Sequence, residues 1–123
     1  MDRALLNNVP ILIVEDEPYI ALELKALVEE AGGKVLGPAG SVHGALALLE
    51  THVVAAALLD IQLSDGDVTP VAKALVTRGI PVIFQSGTNP SPELRRVCPN
   101  GVIYKKPVSP ELLVGKLAEL TKR

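Results

Sequence analysis

Two apolar runs in this sequence of 123 residues end directly in acidic residues. The run at residues 53–59 stops at Asp60, and the run at residues 11–14 stops at Glu15 and Asp16. Short apolar runs with such abrupt ends are typical of strands that are buried on both faces of a parallel sheet. Because ligands of open parallel sheets bind at the carboxyl ends of the strands, these carboxylates predict one shared acidic pocket.

Two further predicted strands also end in polar side chains. Ser86 follows the run at residues 81–85, and Lys106 lies just beyond a strand predicted at residues 102–104. If these strands are neighbours, a hydroxyl and an ammonium group join the three carboxylates. The combination predicts a site that could bind an anion beside a cation.

The chemistry that suits such a set is phosphoryl transfer. Close carboxylates repel one another and stay ionised together only beside a cation, and Mg²⁺ prefers oxygen ligands. Mg²⁺ held by few protein ligands usually pairs with a phosphoryl group, whose developing charge an ammonium and a hydroxyl would stabilise. A carboxylate can itself be the nucleophile. Asp60, alone at the end of the central predicted strand, is the candidate phosphoacceptor.

Each of these residues also has a purely structural explanation. Acids after strands often cap helices, a serine there is commonly a turn residue, and most lysines are solvated. Their joint placement at strand ends favours the functional interpretation. Two histidines, His43 and His52, lie away from these ends and are predicted to be surface or structural residues, while Tyr19 and Phe84 are predicted to pack in the core.

The apolar pattern predicts an α/β fold in which five parallel strands carry helices on both faces. Residues 1–9 are interpreted as an N-terminal lead-in of modest order, and residues 10–123 as one domain. The predicted strands are residues 10–15, 34–37, 53–60, 81–85 and 102–104. The predicted helices begin near Glu17, after Ser41, at Thr69, at Pro92 for one short helix ending at Val97, and at Pro110.

Composition excludes several classes of function. With 12 basic and 14 acidic residues interspersed and a net charge of −2, the chain has no electrostatic signature for direct binding to nucleic acid or to an anionic membrane. A single cysteine, Cys98, excludes an internal disulfide and a cysteine-based zinc site. The sequence has no apolar stretch of signal-peptide or membrane-spanning length, so a cytoplasmic location is expected.

Four motifs together resemble the receiver domain of two-component response regulators. They are ILIVEDEP at residues 11–18, ALLDIQLSDG at 57–66, PVIFQSG at 81–87 and YKKPV at 104–108, so the resemblance covers nearly the whole chain. It is to the stand-alone, single-domain type, with no output domain expected. The resemblance implies a flavodoxin-like receiver fold whose sheet has the strand order 2-1-3-4-5.

The resemblance also implies a role for each residue of the acidic pocket. Asp60 would take a phosphoryl group from a sensor histidine kinase or a histidine phosphotransfer protein. Asp16 would bind Mg²⁺ directly and Glu15 through water, with Asp60 and the backbone carbonyl of Gln62 as further ligands. The chain would then catalyse only its own phosphorylation and dephosphorylation, and is not expected to be an enzyme with a separate substrate.

The remaining polar residues would bind or release the phosphoryl group. By resemblance, Ser86 and Lys106 would contact it and act as switch residues; Lys106 is chosen over Lys105 because it directly precedes proline. The side chains of Gln62 and Thr88, near the attacking water, would modulate dephosphorylation. The response would be altered binding of a downstream protein, relay to a histidine protein or drainage of phosphoryl groups, with a homodimer as a further alternative.

Departures from the family pattern keep two alternatives open. Ile103 stands where many receivers place an aromatic switch residue, and Tyr104, one position later, should face the opposite side of its strand. A degenerate receiver that binds partners constitutively is therefore one alternative. The other is a phosphatase-like enzyme that forms an aspartyl phosphate. That enzyme would need a second acid two residues after the nucleophile, where this chain has Gln62.

Overall fold

The structure, a computed structural model, describes residues 5–122. Its main sheet contains five parallel strands in the spatial order β2-β1-β3-β6-β7. When only these five are counted along the chain, the order is 2-1-3-4-5, so the predicted sheet is confirmed. The strands are β1 (Pro10–Val14), β2 (Lys34–Ala39), β3 (Ala56–Leu59), β6 (Val82–Ser86) and β7 (Val102–Lys105).

Five helices cover the two faces of this sheet. They are α1 (Pro18–Glu30), α2 (Val42–Thr51), α3 (Thr69–Thr77), α4 (Pro92–Val97) and α5 (Pro110–Thr121). Helices α1, α4 and α5 begin with proline, which fits the first helical position because the backbone N–H groups there have no partner within the helix. Four of the five helices also have a side-chain cap, from Glu17, Ser41, Ser91 and Ser109.

The sheet separates two apolar cores, since successive side chains of each strand point to opposite faces. Ile11 and Ile13 of β1 pack on the side of α1 and α5. Leu12 and Val14 of the same strand pack on the side of α2, α3 and α4. All four residues of β3 are buried, as the uninterrupted apolar run predicts for a central strand.

The third predicted strand begins later than the apolar run suggests. Prediction from hydrophobicity placed its start at residue 53, but β3 starts at Ala56 and Val53 is 87% exposed. The cause is the neighbouring strand, because the pairing of β3 with β1 begins with Ile11 opposite Ala56, and β1 itself begins only one residue earlier, at Pro10. The second strand is longer than predicted and continues to Ala39 at the edge of the sheet, where the proline at position 38 is tolerated.

Part of the predicted lead-in packs against the domain. Leu6 is only 1% exposed and packs in the core beneath α1 and α5. Its N–H donates to the carbonyl of Ala31 (2.9 Å), and the N–H of Asn8 donates to the carbonyl of Gly32 (2.8 Å). These bonds connect residues 6–8 to the end of α1, and the expectation of modest order for the lead-in stays a prediction. Residues 1–4 of the predicted lead-in lie outside the described part of the chain.

Predictions for several single residues can also be compared with the structure. Phe84 is fully buried and both histidines are exposed, as predicted. Tyr19 is 78% exposed, so its predicted place in the core is wrong. The reason is helical geometry, since the inward face of α1 is set by Leu24, Leu27 and Val28, and position 19 falls off that face. The short fourth helix has the predicted bounds.

The segment after β3 forms a small antiparallel hairpin. Its strands are β4 (Gln62–Leu63) and β5 (Gly66–Asp67), with Gln62 opposite Asp67 and Leu63 opposite Gly66. Gly66 has φ +138°, a conformation that residues with side chains rarely adopt. An Asp-Gly pair such as that at residues 65–66 is a turn signal, so the sequence predicts a turn here, while the pairing of β4 with β5 is seen only in the structure.

Candidate functional site

The acidic pocket is built by the ends of two neighbouring strands. Val14 lies opposite Leu59 in the parallel pairing of β1 and β3, so Glu15 and Asp60 emerge side by side. The N–H of Asp60 donates to the carbonyl of Val14 (2.9 Å), and this bond fixes the register of the two strands at their carboxyl ends. Glu15 is only 2% exposed and Asp60 is buried, whereas Asp16 is exposed.

Three carboxylates share this pocket, as the sequence predicted. One carboxylate oxygen from each of Glu15, Asp16 and Asp60 lies within 4.8 Å of the others. Their mutual repulsion is lowest beside a cation, and the exposed side chain of Asp16 keeps one side of the group open to solvent. An all-oxygen set with an open side fits a divalent cation such as Mg²⁺, which retains several waters.

Lys106 reaches this group from the end of β7. Its Nζ lies 2.7 Å from Glu15 Oε1 and 3.3 Å from Asp60 Oδ2. Its backbone N–H donates to the carbonyl of Ser86 (3.1 Å), which holds the residue beside the sheet. The ammonium therefore pairs with two of the three carboxylates, and the set carries an excess of negative charge that a bound metal ion would offset.

Hydrogen bonds occupy both oxygens of the Glu15 carboxylate. Oε1 accepts from Lys106 Nζ and from the side-chain amide of Gln85 (3.0 Å), and Oε2 accepts from the N–H of Glu17 (3.1 Å). Burial raises the pKa of Glu15, while the bonds from Lys106 and Glu17 oppose that rise. Burial lowers the pKa of Lys106, but its bond to Glu15 and the Asp60 charge outweigh burial and the net pKa is raised. Lys106 is thus held in its charged form.

Asp60 is oriented by its own backbone as well as by Lys106. Its Oδ1 accepts from the N–H of Ile61 (2.8 Å), and its Oδ2 faces the ammonium. Both oxygens of the candidate phosphoacceptor therefore have defined partners, and the segment that follows Asp60 takes part in fixing its orientation.

Ser86 and Thr88 form a separate pair at the next strand end. Ser86 Oγ lies 3.1 Å from Thr88 Oγ1 and accepts from the N–H of Thr88 (3.2 Å). Within residues 5–122, neither side chain hydrogen-bonds to the carboxylate group or to Lys106, and the side chain of Gln62 is exposed. The structure thus brings Glu15, Asp16, Asp60 and Lys106 together, while the side chains of the other predicted site residues make no hydrogen bond to this group in the described part of the chain; those residues are Gln62, Ser86 and Thr88.

Sequence reasoning missed two polar residues near the site. Gln85 is a buried amide within the apolar strand β6, and a polar residue in the run PVIFQSG was the signal that could have identified it. The pair Asp65 and Gly66 predicts a turn, and nothing in that local pattern predicts a distant partner for Asp65. Its two oxygens accept from the N–H groups of Val42 (2.7 Å) and His43 (3.1 Å), partners that no local pattern specifies.

The last strand has the predicted alternation. Ile103 is 40% exposed, and Tyr104 packs in the core of α1 and α5 on the other face. The aromatic ring is therefore on the opposite side of β7 from the position where many receivers place one.

The sequence and fold together can be compared with known proteins. The family model described as the response regulator receiver domain matches residues 11–118. The chain belongs to this family. The resemblance read from the four motifs is thereby confirmed, and the protein is a receiver domain of the kind used in two-component systems.

Individual relatives agree with this assignment. The chain is 44% identical over 77 residues to the phyllosphere-induced regulator PhyR of Methylorubrum extorquens, a match that covers 60% of this chain and 29% of that protein. The chain therefore spans less than a third of that curated relative.

Two solved structures, one of them described as a receiver domain protein, superpose over nearly the whole chain. SdrG from Sphingomonas melonis Fr1 is 36% identical with a TM-score of 0.76, covering 91% of this chain and 95% of the other. The CheY-like response regulator receiver domain protein from Methanospirillum hungatei JF-1 is 30% identical with a TM-score of 0.78. That match covers 93% of this chain and 97% of the other. In the described part of this receiver, no helix is long and apolar enough to span a membrane.

Proposed function

We propose that this receiver takes a phosphoryl group onto Asp60, from a sensor histidine kinase or a histidine phosphotransfer protein, with Mg²⁺ as its cofactor. The observation that carries the proposal is the convergence of the carboxylates of Glu15, Asp16 and Asp60 at one edge of the sheet, with the ammonium of Lys106 bound to two of them, Glu15 and Asp60. A buried strand end with an oriented carboxylate and a neighbouring cation is what transfer to an aspartate requires.

Transfer would proceed on the carboxylate of Asp60. One of its oxygens forms a bond to phosphorus while the P–N bond to the donor histidine breaks, and the released imidazole nitrogen takes a proton from solvent. Lys106 Nζ, already 3.3 Å from Asp60 Oδ2, would pair with a phosphoryl oxygen. The hydroxyl of Ser86 would bind another.

Four residues would hold the metal ion. Asp16 and Asp60 would bind it directly, Glu15 through water, and Gln62 through its backbone carbonyl. The indirect role of Glu15 is supported by its hydrogen bonds, because three protein donors contact its carboxylate, one more than contact the carboxylate of Asp60. When bound, Mg²⁺ supplies positive charge to the oxygens of the group in transfer.

The response would be a shift between two conformations of the receiver. Lys106 joins Glu15 to Asp60 in this structure, and its movement to the phosphoryl group would break the contact with Glu15. Ser86 and Lys106 would thereby report phosphorylation to the surface of β6 and β7, where a downstream protein or a second copy would bind. Residues 10–123 would form this functional unit in the cytoplasm, with Gln62 and Thr88 modulating dephosphorylation.

The mass of the intact protein tests the proposal. We expect incubation with acetyl phosphate and Mg²⁺ to add one phosphoryl group to the wild type. The variant Asp60→Asn should gain none, whereas Glu50→Gln, which neutralises an exposed acid on α2, should behave as the wild type. Equal uptake by Asp60→Asn, or uptake that is independent of Mg²⁺, would contradict the proposed chemistry.

A constitutive binding module is the second candidate, and the exposed Ile103 in place of an aromatic favours it. That candidate predicts no phosphoryl adduct in a folded wild type, and partner binding that Asp60→Asn leaves unchanged. A phosphatase-like enzyme has less support, since the amide of Gln62 cannot act as the second acid.

A further inference from the structure

The hairpin that follows Asp60 is attached to the start of helix α2. Asp65, in the turn of the hairpin, accepts hydrogen bonds from the N–H groups of Val42 (2.7 Å) and His43 (3.1 Å). Next to it, the hydroxyl of Ser64 donates to the carbonyl of Gly40 (3.2 Å). These three bonds connect parts of the chain that are more than twenty residues apart, so they fix tertiary and not local structure.

The attachment completes the N-terminus of α2. The first N–H groups of a helix have no partner within the helix and need other acceptors. Ser41 Oγ accepts from the N–H of Gly44 (2.9 Å), and the two oxygens of Asp65 take the N–H groups of Val42 and His43. A carboxylate at this end also interacts favourably with the helix dipole.

At its other end, the hairpin is continuous with the phosphorylation site. Gln62 lies opposite Asp67 in the ladder, and the side chain of Leu63 is buried in the core. The carbonyl of Ile61 accepts from the N–H of Val68 (2.8 Å), while the N–H of Ile61 holds Asp60 Oδ1. Because the hairpin has only two residues in each strand, a shift of its turn would be passed on to Gln62.

We infer that Asp65 is a positioning residue for the metal site. By holding the hairpin against α2, it keeps the backbone carbonyl of Gln62 where a metal ion bound by Asp16 and Asp60 can use it. The inference rests on the proposed function, in which that carbonyl is a ligand. Mg²⁺ demands near-ideal octahedral geometry, so a ligand carbonyl with more freedom lowers affinity.

Mg²⁺ titration of three variants, followed by calorimetry or NMR, tests the role of Asp65. We expect Asp65→Ala to weaken Mg²⁺ binding about 10-fold, the lower end of the range for residues that orient metal ligands. Asp65→Asn, which keeps one acceptor oxygen, should lose less of the Mg²⁺ affinity than Asp65→Ala does. Ser41→Ala is the matched control, because it removes another cap from the same helix end, and the Ser41 hydroxyl bonds to Gly44 and not to the hairpin. The Mg²⁺ affinity of this variant should stay close to that of the wild type.

Equal weakening by Asp65→Ala and Ser41→Ala would overturn the inference, since the stability of α2 would then explain both losses. Unchanged affinity in Asp65→Ala would also overturn it, while leaving the proposed function intact if the wild type binds Mg²⁺. A folded wild type that does not bind Mg²⁺ would contradict the proposed function itself, and this inference with it.

Amide hydrogen exchange gives a second test that needs no variant. Coupling between two sites is reciprocal, so an attachment that strengthens Mg²⁺ binding must itself be strengthened by Mg²⁺. We expect Mg²⁺ to slow exchange at the N–H groups of Val42 and His43, far from the acids in sequence. Exchange at the N–H of Gly44, which is capped by Ser41, should slow less. Equal slowing at Val42, His43 and Gly44 would contradict a specific effect through Asp65.

Discussion

Glu15 is the most deeply buried acid of the site, and its environment depends on Lys106. The carboxylate is almost fully removed from solvent and has two other acids nearby, so it needs both the ammonium and the amide of Gln85. Breaking a buried charge pair by removing one partner is strongly destabilising, whereas losing an exposed charge is nearly neutral. The contrast between Lys106 and its neighbour Lys105 therefore isolates the effect of burial.

We expect Lys106→Ala to lose about 3 kcal/mol of stability at neutral pH. Lys105→Ala, at an exposed position, should stay within about 0.5 kcal/mol of the wild type. Without the ammonium, the native pKa of Glu15 rises further above its unfolded value. An acid whose native pKa is raised makes the folded protein less stable as the pH rises from the unfolded pKa to the native pKa. The deficit of Lys106→Ala should therefore shrink on acidification, which urea unfolding at several pH values measures. A deficit that does not depend on pH would argue against an uncompensated Glu15.

Lys106 should also separate phosphorylation from the response to it. In Lys106→Ala the acceptor Asp60 remains, so acetyl phosphate should still form the adduct, but the chemical shifts of β6 and β7 should no longer change on phosphorylation. Lys105→Ala should show the wild-type response. A full conformational response in Lys106→Ala would remove Lys106 from the switch.

At the scale of elements, the attachment of the hairpin to α2 is sensitive to acid. The two backbone N–H groups of Val42 and His43 lower the pKa of Asp65 below its usual range. A carboxylate with a lowered native pKa contributes stability above its unfolded pKa of about 4 and loses it as the pH falls through the native pKa. The attachment should therefore be intact at neutral pH and weaken in acid.

The free energy of unfolding, measured at several pH values, should reveal this sensitivity to acid. Asp65→Ala should be less stable than the wild type at pH 7, and the gap should narrow below about pH 4. The gap for Ser41→Ala should stay nearly constant, because the hydroxyl of Ser41 does not titrate. Parallel pH profiles for the two variants would show that the Asp65 charge does not contribute to the attachment.

The lead-in provides another prediction at this scale. Leu6 is buried beneath α1 and α5, whereas the adjacent Leu5 is exposed. Leu6→Ala should lower the free energy of unfolding by about 2–4 kcal/mol, because it removes a buried side chain and leaves a cavity. Leu5→Ala, at an exposed position, should leave the free energy of unfolding nearly unchanged. Denaturant unfolding compares the two, and equal small effects would mean that the lead-in is not part of the core.

For the whole molecule, the proposed metal ion links the site to global stability. A ligand that binds only the native state stabilises it by about 2.7 kcal/mol at 100 times its dissociation constant. We expect Mg²⁺ to raise the melting temperature of the wild type, and Asp16→Asn to lose most of that increase. Without Mg²⁺, Asp16→Asn should be at least as stable as the wild type, since one of three repelling carboxylates is gone. A full Mg²⁺ response in that variant would exclude Asp16 as a direct ligand.

The sequence by itself determined the layered α/β fold and the placement of most site residues. Unbroken apolar runs such as the one before Asp60 are compatible with strands buried on both faces, and prolines and serines mark the starts of the helices. Acids directly after such strands must lie at the carboxyl edge of a parallel sheet. The grouping of Glu15, Asp16 and Asp60 thus follows from local pattern together with the rules of parallel sheets.

Only the tertiary structure decided which partners the polar groups have and where some elements begin. The start of β3 depends on β1, and the burial of Leu6 depends on α1 and α5. The bonds from Gln85 to Glu15 and from α2 to Asp65 join residues far apart in sequence. Local patterns specify secondary structure, but such contacts are fixed only when packed elements bring distant donors and acceptors together.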